Sequence, residues 1–240
     1  MDFKNKIFVF GDSILHGIQV RESDKKYVIS NHIDTATIRS KYLLDIRNFS
    51  KFGCTITKGK KIVDRELGKG MNCTAVILEY GGNDCDFDWC SIAQSPEAPH
   101  LPKTPLETFC EIYRSIIDRL LSIGVTPIPT TLPPIISHKY LDWFCSKGVD
   151  KQKVLEWLGD TENIAHYQEN YSRAIEQIAK EKNVPLVDIR GGFLKNRRVE
   201  DYICEDGIHP NTKGQQIISE TFRKFADSFF KNQPLPQAAI

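Results

Sequence analysis

The sequence predicts an α/β fold, a parallel sheet covered by helices, and three observations carry that reading. Short apolar runs alternate with longer amphipathic stretches from one end of the chain to the other. Within the long stretches, apolar positions recur every three or four residues, the period of a helix with one buried face. At 240 residues the chain can bury one substantial core. We read a single domain over residues 1–231.

The elements follow in order. The N-terminus runs directly into a strand whose buried part is Ile7 to Phe10, and a helix is expected over Ser13 to Val20. A second strand near Asp45 to Phe49 leads to a helix over Thr57 to Leu67. Ala75 to Tyr80 and Val125 to Thr130 are the third and fourth strands, and Pro185 to Asp188 is the fifth. Between the third and fourth, Leu106, Phe109, Cys110, Tyr113, Ile116, Ile117, Leu120 and Leu121 share one helical face, with Gly124 as a stop. Further helices are expected at Glu162 to Lys182 and Thr212 to Phe230. The tail Asn232 to Ile240, with two prolines, is expected to fray. Cys85 to Pro105 and Leu132 to Asp160 resist the pattern. Each follows the carboxyl end of a strand, where α/β sheets bind ligands, so they read as lids or ornament.

Composition narrows the partners. Hydrophobic residues make up 40% and charged residues 26%, with 32 basic against 31 acidic side chains and a net charge of +1. That mixture leaves no broad basic face for nucleic acid; the short run Lys58, Lys60, Lys61 reads as a solvated helix face. No 18-residue apolar run suggests a membrane span, and no secretory signal is read at the N-terminus. The seven cysteines lack CxxC or zinc-type spacing and read as reduced thiols of a cytoplasmic protein. No cofactor or metal is called for.

Four blocks carry residues suited to chemistry. Gly11-Asp12-Ser13 lies between a strand and a helix, which would place the Ser13 hydroxyl beside its own backbone N–H. A helix cap is the other reading of that serine. In Asp206-Gly207-Ile208-His209-Pro210-Asn211, a carboxylate three residues before a histidine can fold back onto Nδ1 and leave Nε2 to take a proton. Glu205 competes for that place but points to the other side in an extended segment. In Gly81-Gly82-Asn83-Asp84 the Asn83 amide offers donors to a developing oxyanion, and the block equally reads as a turn. Gly53 could add a backbone N–H. Each block is weak alone; their order after successive strands is much stronger.

In that order the sequence resembles the SGNH or GDSL family of esterases and acylhydrolases. Gly11-Asp12-Ser13 matches the family's first block, Asn48 through Gly53-Cys54-Thr55 the second, Gly81-Gly82-Asn83-Asp84 the third and Asp206 to Asn211 the last. Ile14 and Cys54 depart from the usual residues at positions without a catalytic role. The resemblance implies a three-layer α/β/α domain with a flavodoxin-like five-stranded parallel sheet of order 2-1-3-4-5. It also implies a serine hydrolase with Ser13, Asp206 and His209 as the triad and Ser13, Gly53 and Asn83 as the oxyanion site.

Substrate selection falls to the two long segments, which carry Phe87, Trp89, His100, His138, Tyr140, Trp143, Phe144 and Trp157. Trp89, His138 and Trp143 are the candidate substrate contacts, although these aromatics equally suit small cores of the segments themselves. A small-molecule ester with a short acyl group, such as acetyl on a sugar, is the expected substrate. Two rivals stand beside this reading. One is a metal-dependent phosphoesterase using Asp12, Asn83, Asp84 and His209; the other is a non-catalytic binding module on the same fold.

Overall fold

The structure is a computed structural model that describes residues 5–30, 33 and 35–231. The tail 232–240 and residues 1–4 of the expected first strand lie outside the described residues. Strand β1 (Asn5–Gly11) opens the fold. A turn leads into an antiparallel hairpin, β2 (Ile18–Val20) and β3 (Tyr27–Ile29). Helix α1 (Thr35–Tyr42), strand β4 (Leu44–Asn48), helix α2 (Ile56–Gly68) and strand β5 (Ala75–Glu79) follow. Next come α3 (Trp89–Gln94), α4 (Leu106–Ser122) and β6 (Thr126–Pro129). The remainder is helical: α5 (Ser137–Cys145), α6 (Lys151–Leu158), α7 (Asn163–Glu181), α8 (Ile189–Leu194) and α9 (Thr212–Lys231).

Strands β4, β1, β5 and β6 lie side by side in that order and are all parallel. Along β1 the side chains alternate between two cores. Phe8 and Phe10 pack with Val63 of α2, Phe109 and Tyr113 of α4 and Ile175 of α7. Ile7 and Val9 pack on the opposite face with Ile38 of α1, Phe193 of α8 and Ile218 of α9. Both faces are covered, which is why β1 and β5 read as continuous apolar runs. The result is a three-layer α/β/α arrangement.

Two expectations are corrected. Residues 12–17 form turns rather than the start of a helix over Ser13 to Val20, and Ile18 enters β2 instead. Gly17 adopts φ +80°, and a Cβ there would lie 2.6 Å from the Ser30 carbonyl oxygen. The chain turns at that glycine, and the β-branched Ile18 and Val20 find a strand partner in Tyr27–Ile29.

The fifth strand is also absent. Thr126 and Thr130 donate their N–H groups toward β5, to the carbonyls of Thr74 (3.1 Å) and Leu78 (3.0 Å). The period of two therefore turns the nitrogens of Pro127 and Pro129 to the other edge, where they have no hydrogen to donate. What remains is a single parallel bridge, Thr130 to Val187. It is held by Thr131 N–H to Val187 O and Val187 N–H to Pro129 O, both 3.0 Å. Asp188 then turns at once to cap α8, accepting from Gly191 N–H at 2.8 Å. The sheet thus keeps the order of the first four expected strands and ends on that bridge.

The two long segments are structured. They supply α3, α5 and α6, which enclose a third core of Phe87, Trp89, Ile92, Leu141, Phe144, Val154 and Leu158 with Ile164 of α7. We call this unit the cap; it sits over the carboxyl edge of the sheet.

Candidate active site

Ser13 stands on the turn after β1. Asp12 builds that turn: its carbonyl accepts His16 N–H at 3.1 Å and its Oδ1 accepts Ile14 N–H at 2.9 Å. Gly11 is required here for close approach, since a Cβ would meet the Glu79 carbonyl oxygen at 3.0 Å and Ser50 Oγ at 3.1 Å.

The loop before α9 brings His209. Asp206 Oδ1 accepts the N–H groups of Ile208 (3.2 Å) and His209 (3.1 Å), which curls the loop back on its own carboxylate. Gly207 permits the curl at φ +76°, and its carbonyl accepts Ile136 N–H of the cap at 2.8 Å. Asp206 Oδ2 then lies 2.5 Å from His209 Nδ1, and His209 Nε2 lies 2.8 Å from Ser13 Oγ. All three side chains are buried. The Asp206 contact fixes Nδ1 as the protonated nitrogen, so Nε2 is free to accept the Ser13 proton. Glu205 turns outward and pairs with Lys25.

The three residues expected at an oxyanion site lie together. Ser13, Gly53 and Asn83 line one pocket. Among the described residues the N–H groups of Ser13 and Gly53 make no hydrogen bond. Asn83 Nδ2 donates to Asp12 Oδ2 at 2.9 Å, which orients the amide.

The pocket encloses about 120 Å³. Its aromatic wall is Phe87, Trp89 and Tyr140 of the cap, with Tyr167 of α7. Asp86 organises that wall, accepting from Trp89 Nε1 at 2.9 Å and Tyr140 Oη at 2.8 Å while pairing with Lys103 Nζ at 2.7 Å. At the mouth, Tyr27 meets the His209 ring edge-on at 5.2 Å and Phe52 lies parallel to it at 6.1 Å. Burial, then the Asp206 charge, pushes the Tyr27 phenol up to about 12, so it stays protonated beside the base.

Of the expected substrate contacts only Trp89 lines this pocket. His138 is exposed, 3.5 Å from Glu200, because it lies on the outer side of α5. Trp143 stands behind Tyr27, donating from Nε1 to its hydroxyl at 3.0 Å, with Lys147 Nζ 4.8 Å from its ring centre. Tyr27, Phe52 and Asp86 were missed by the sequence reading. Nothing local marked them, since their places depend on a hairpin and a cap that the periodicity did not reveal. Glu79 was also missed, and it did carry a signal: an acid ending an otherwise apolar strand.

Burial pushes the Cys54 thiol up to about 11 and raises the fully enclosed Cys85 thiol as well. The donors proposed for a metal are committed to other contacts. Asp84 turns to the start of α2 and accepts Ile56 N–H at 3.0 and 3.1 Å, while Asp12 is committed to Ile14 and Asn83. Among the described residues, no three or more His, Cys, Asp or Glu side chains are grouped to hold a metal ion.

A three-layer α/β/α sheet with a serine, histidine and aspartate chain at its carboxyl edge defines a serine hydrolase. The family model described as GDSL-like lipase/acylhydrolase matches residues 9–217, and the chain belongs to that family. It is an enzyme of the carboxylic ester hydrolase class. Solved structures share the fold. One is a lipase/acylhydrolase from Enterococcus faecalis, 17% identical over 93% of this chain and 96% of that one, with a TM-score of 0.64. Another is Axe2, an acetylxylan esterase from Geobacillus stearothermophilus, 16% identical over 93% and 94% of the two chains, TM-score 0.61. A third is LAE5, an α/β hydrolase from the metagenome of Lake Arreo, Spain, 17% identical over 93% and 95%, TM-score 0.63. A search of curated proteins finds no match.

Proposed function

We propose that this enzyme hydrolyses esters of short acyl groups, acetyl foremost, on a sugar or other small alcohol, using Ser13 as nucleophile. The observation that carries the reading is the unbroken contact from Asp206 Oδ2 to His209 Nδ1 (2.5 Å) and from Nε2 to Ser13 Oγ (2.8 Å) at a small pocket. His209 accepts the Ser13 proton as Oγ attacks the ester carbonyl. The negative oxygen is met by the N–H groups of Ser13 and Gly53 and the Asn83 amide. Collapse expels the alcohol, which takes the proton from Nε2. Water then attacks the acyl-enzyme with His209 again as base, and the acid departs. Asp206 holds the imidazole and stabilises its cation.

The pocket volume of about 120 Å³ and its aromatic floor support a short acyl group over a long chain. The acetylxylan esterase among the similar folds supports an acetylated sugar. Seven unpaired cysteines support a reducing, cytoplasmic setting. No described helix is long and apolar enough to cross a membrane. The test is turnover of p-nitrophenyl esters from acetate to decanoate by wild type and Ser13→Ala, with and without EDTA. We expect Ser13→Ala to lose at least ~10³-fold in kcat, with no effect of EDTA and the fastest turnover on acetate. EDTA-sensitive turnover independent of Ser13 would favour the phosphoesterase type of site instead, and decanoate as the best substrate would overturn the short-acyl preference.

A further inference from the structure

Two buried carboxyl groups stand behind the site without a role in the steps above. Glu79 ends β5 fully buried, and Asp12 is 1% exposed. An ionisable side chain enclosed this completely is costly unless it is bonded or keeps its proton. The two groups meet. Asp12 N–H donates to Glu79 Oε2 at 3.3 Å. Gly11 makes room for the contact: a Cβ there would sit 3.1 Å from Glu79 Oε2. From Asp12 the chain continues outward, because Asp12 Oδ2 holds Asn83 Nδ2 at 2.9 Å and Oδ1 holds Ile14 N–H at 2.9 Å. A continuous polar line therefore runs from the interior of the sheet to the wall of the pocket, ending on the one side-chain donor of the oxyanion site.

We infer that Glu79 is a positioning residue for the oxyanion site: its hydrogen bond fixes Asp12, and Asp12 in turn holds the Asn83 amide facing the carbonyl oxygen of the ester. The role rests on the ester-hydrolase reading. Asn83 sits on a glycine-rich turn, so its amide needs an anchor to be preorganised. Asp12 provides one, with its carboxylate held by Ile14 N–H and its own N–H held from behind by Glu79.

Protonation agrees with the geometry. Burial, and then the Asp12 charge, keeps the Glu79 carboxyl well above the usual carboxylate range. Burial raises Asp12 too, but the bonds from Ile14 N–H and the Asn83 amide pull it back. Of the two carboxyls, Glu79 is therefore the one that keeps its proton. The other titratable groups around Glu79 are the phenols of Tyr80, beside it in sequence, and Tyr113 of α4. Burial raises both, so they remain neutral.

The test is kcat and KM for p-nitrophenyl acetate from pH 6 to 10 in wild type, Glu79→Gln, Glu79→Ala and Ser13→Ala. Glu79→Ala should lower kcat by about 10-fold or more with KM within about 2-fold, because the loss falls on the transition state. Glu79→Gln retains an oxygen to accept Asp12 N–H and should stay within about 5-fold of wild type at pH 7. In wild type, kcat should fall at alkaline pH as Glu79 gives up its proton beside Asp12. Glu79→Gln should lack that decline. If Glu79→Ala does not fold, the pH profile of Glu79→Gln decides alone. A Ser13-dependent activity with the same alkaline profile in Glu79→Gln and wild type would overturn this role by itself. Turnover by Ser13→Ala equal to wild type would overturn the hydrolase reading together with it.

Discussion

The catalytic edge and the cap solve different problems, although both border the same pocket. At the edge, Ser13, Asp206 and His209 sit on turns whose geometry is set by backbone hydrogen bonds to the side chains of Asp12 and Asp206. The cap is held instead by apolar packing, with Trp89 stacked on Phe144 at 4.6 Å and Leu141, Val154 and Leu158 buried around them. The edge gives atomic placement to three polar groups with little buried area of its own. The cap gives volume and shape, and its stability comes from a core separate from the two that flank the sheet. The two regions touch at Gly207. A Cβ there would lie 2.5 Å from Tyr140 N and 2.6 Å from Ile136 O, so the triad loop and the cap pack backbone to backbone.

This contrast can be broken by variants that separate chemistry from stability. Asn83→Ala should lower kcat by roughly 10²-fold, the loss of one oxyanion donor, while thermal stability changes little. Near-normal kcat would remove Asn83 from the oxyanion site. Leu141→Ala should do the opposite. Leu141 is 2% exposed within the cap core, and its truncation should cost about 2–5 kcal/mol in denaturant unfolding, with kcat on p-nitrophenyl acetate within about 10-fold. A large kcat loss without destabilisation would mean that the cap takes part in the chemistry.

Asp84 sharpens the comparison from the other side, as a buried carboxyl near the site that serves structure. Burial pushes it up to about 7, above the value of an unfolded chain near ~3.9. Between those values the folded protein keeps a proton that the unfolded chain releases, so its contribution to stability declines as pH rises through that window and levels off above it. Asp84→Asn should therefore gain stability relative to wild type on going from pH 5 to pH 8, measured by denaturant midpoint. An unchanged difference would show that Asp84 is ionised throughout. The smallest effect belongs to His138→Ala. Its side chain is exposed beside Glu200, outside the pocket, and kcat/KM should stay within about 2-fold of wild type. A larger loss would return His138 to the list of substrate contacts.

Much of this was legible in the chain itself. Helices such as α4 and α7 follow from the periodicity of their apolar residues, and β1, β4, β5 and β6 from short apolar runs, because those signals are local. The Ser13, Asn83 and His209 blocks were legible for a related reason. Each needs a particular residue type on a turn, and glycine or proline beside it marks the turn. The misread elements share a cause. Ser13 to Val20 carries a helical apolar spacing, yet Gly17 and the hairpin partner Tyr27–Ile29 decide its conformation. Pro185 to Asp188 has the composition of a strand, but Pro127 and Pro129 on the neighbouring strand leave it almost nothing to pair with.

By itself, then, the sequence determined the layered α/β arrangement, the order of its first four sheet strands and the three side chains, Ser13, Asp206 and His209, that the structure brings into contact. Those features depend on periodicity and on side-chain chemistry within a few residues. Tertiary structure alone decided that the long segments fold into a cap with its own core, that Tyr27 and Phe52 flank His209, and that Glu79 reaches Asp12. Each of these brings together side chains far apart in the chain, and packing and desolvation between such groups leave no periodic trace in either segment.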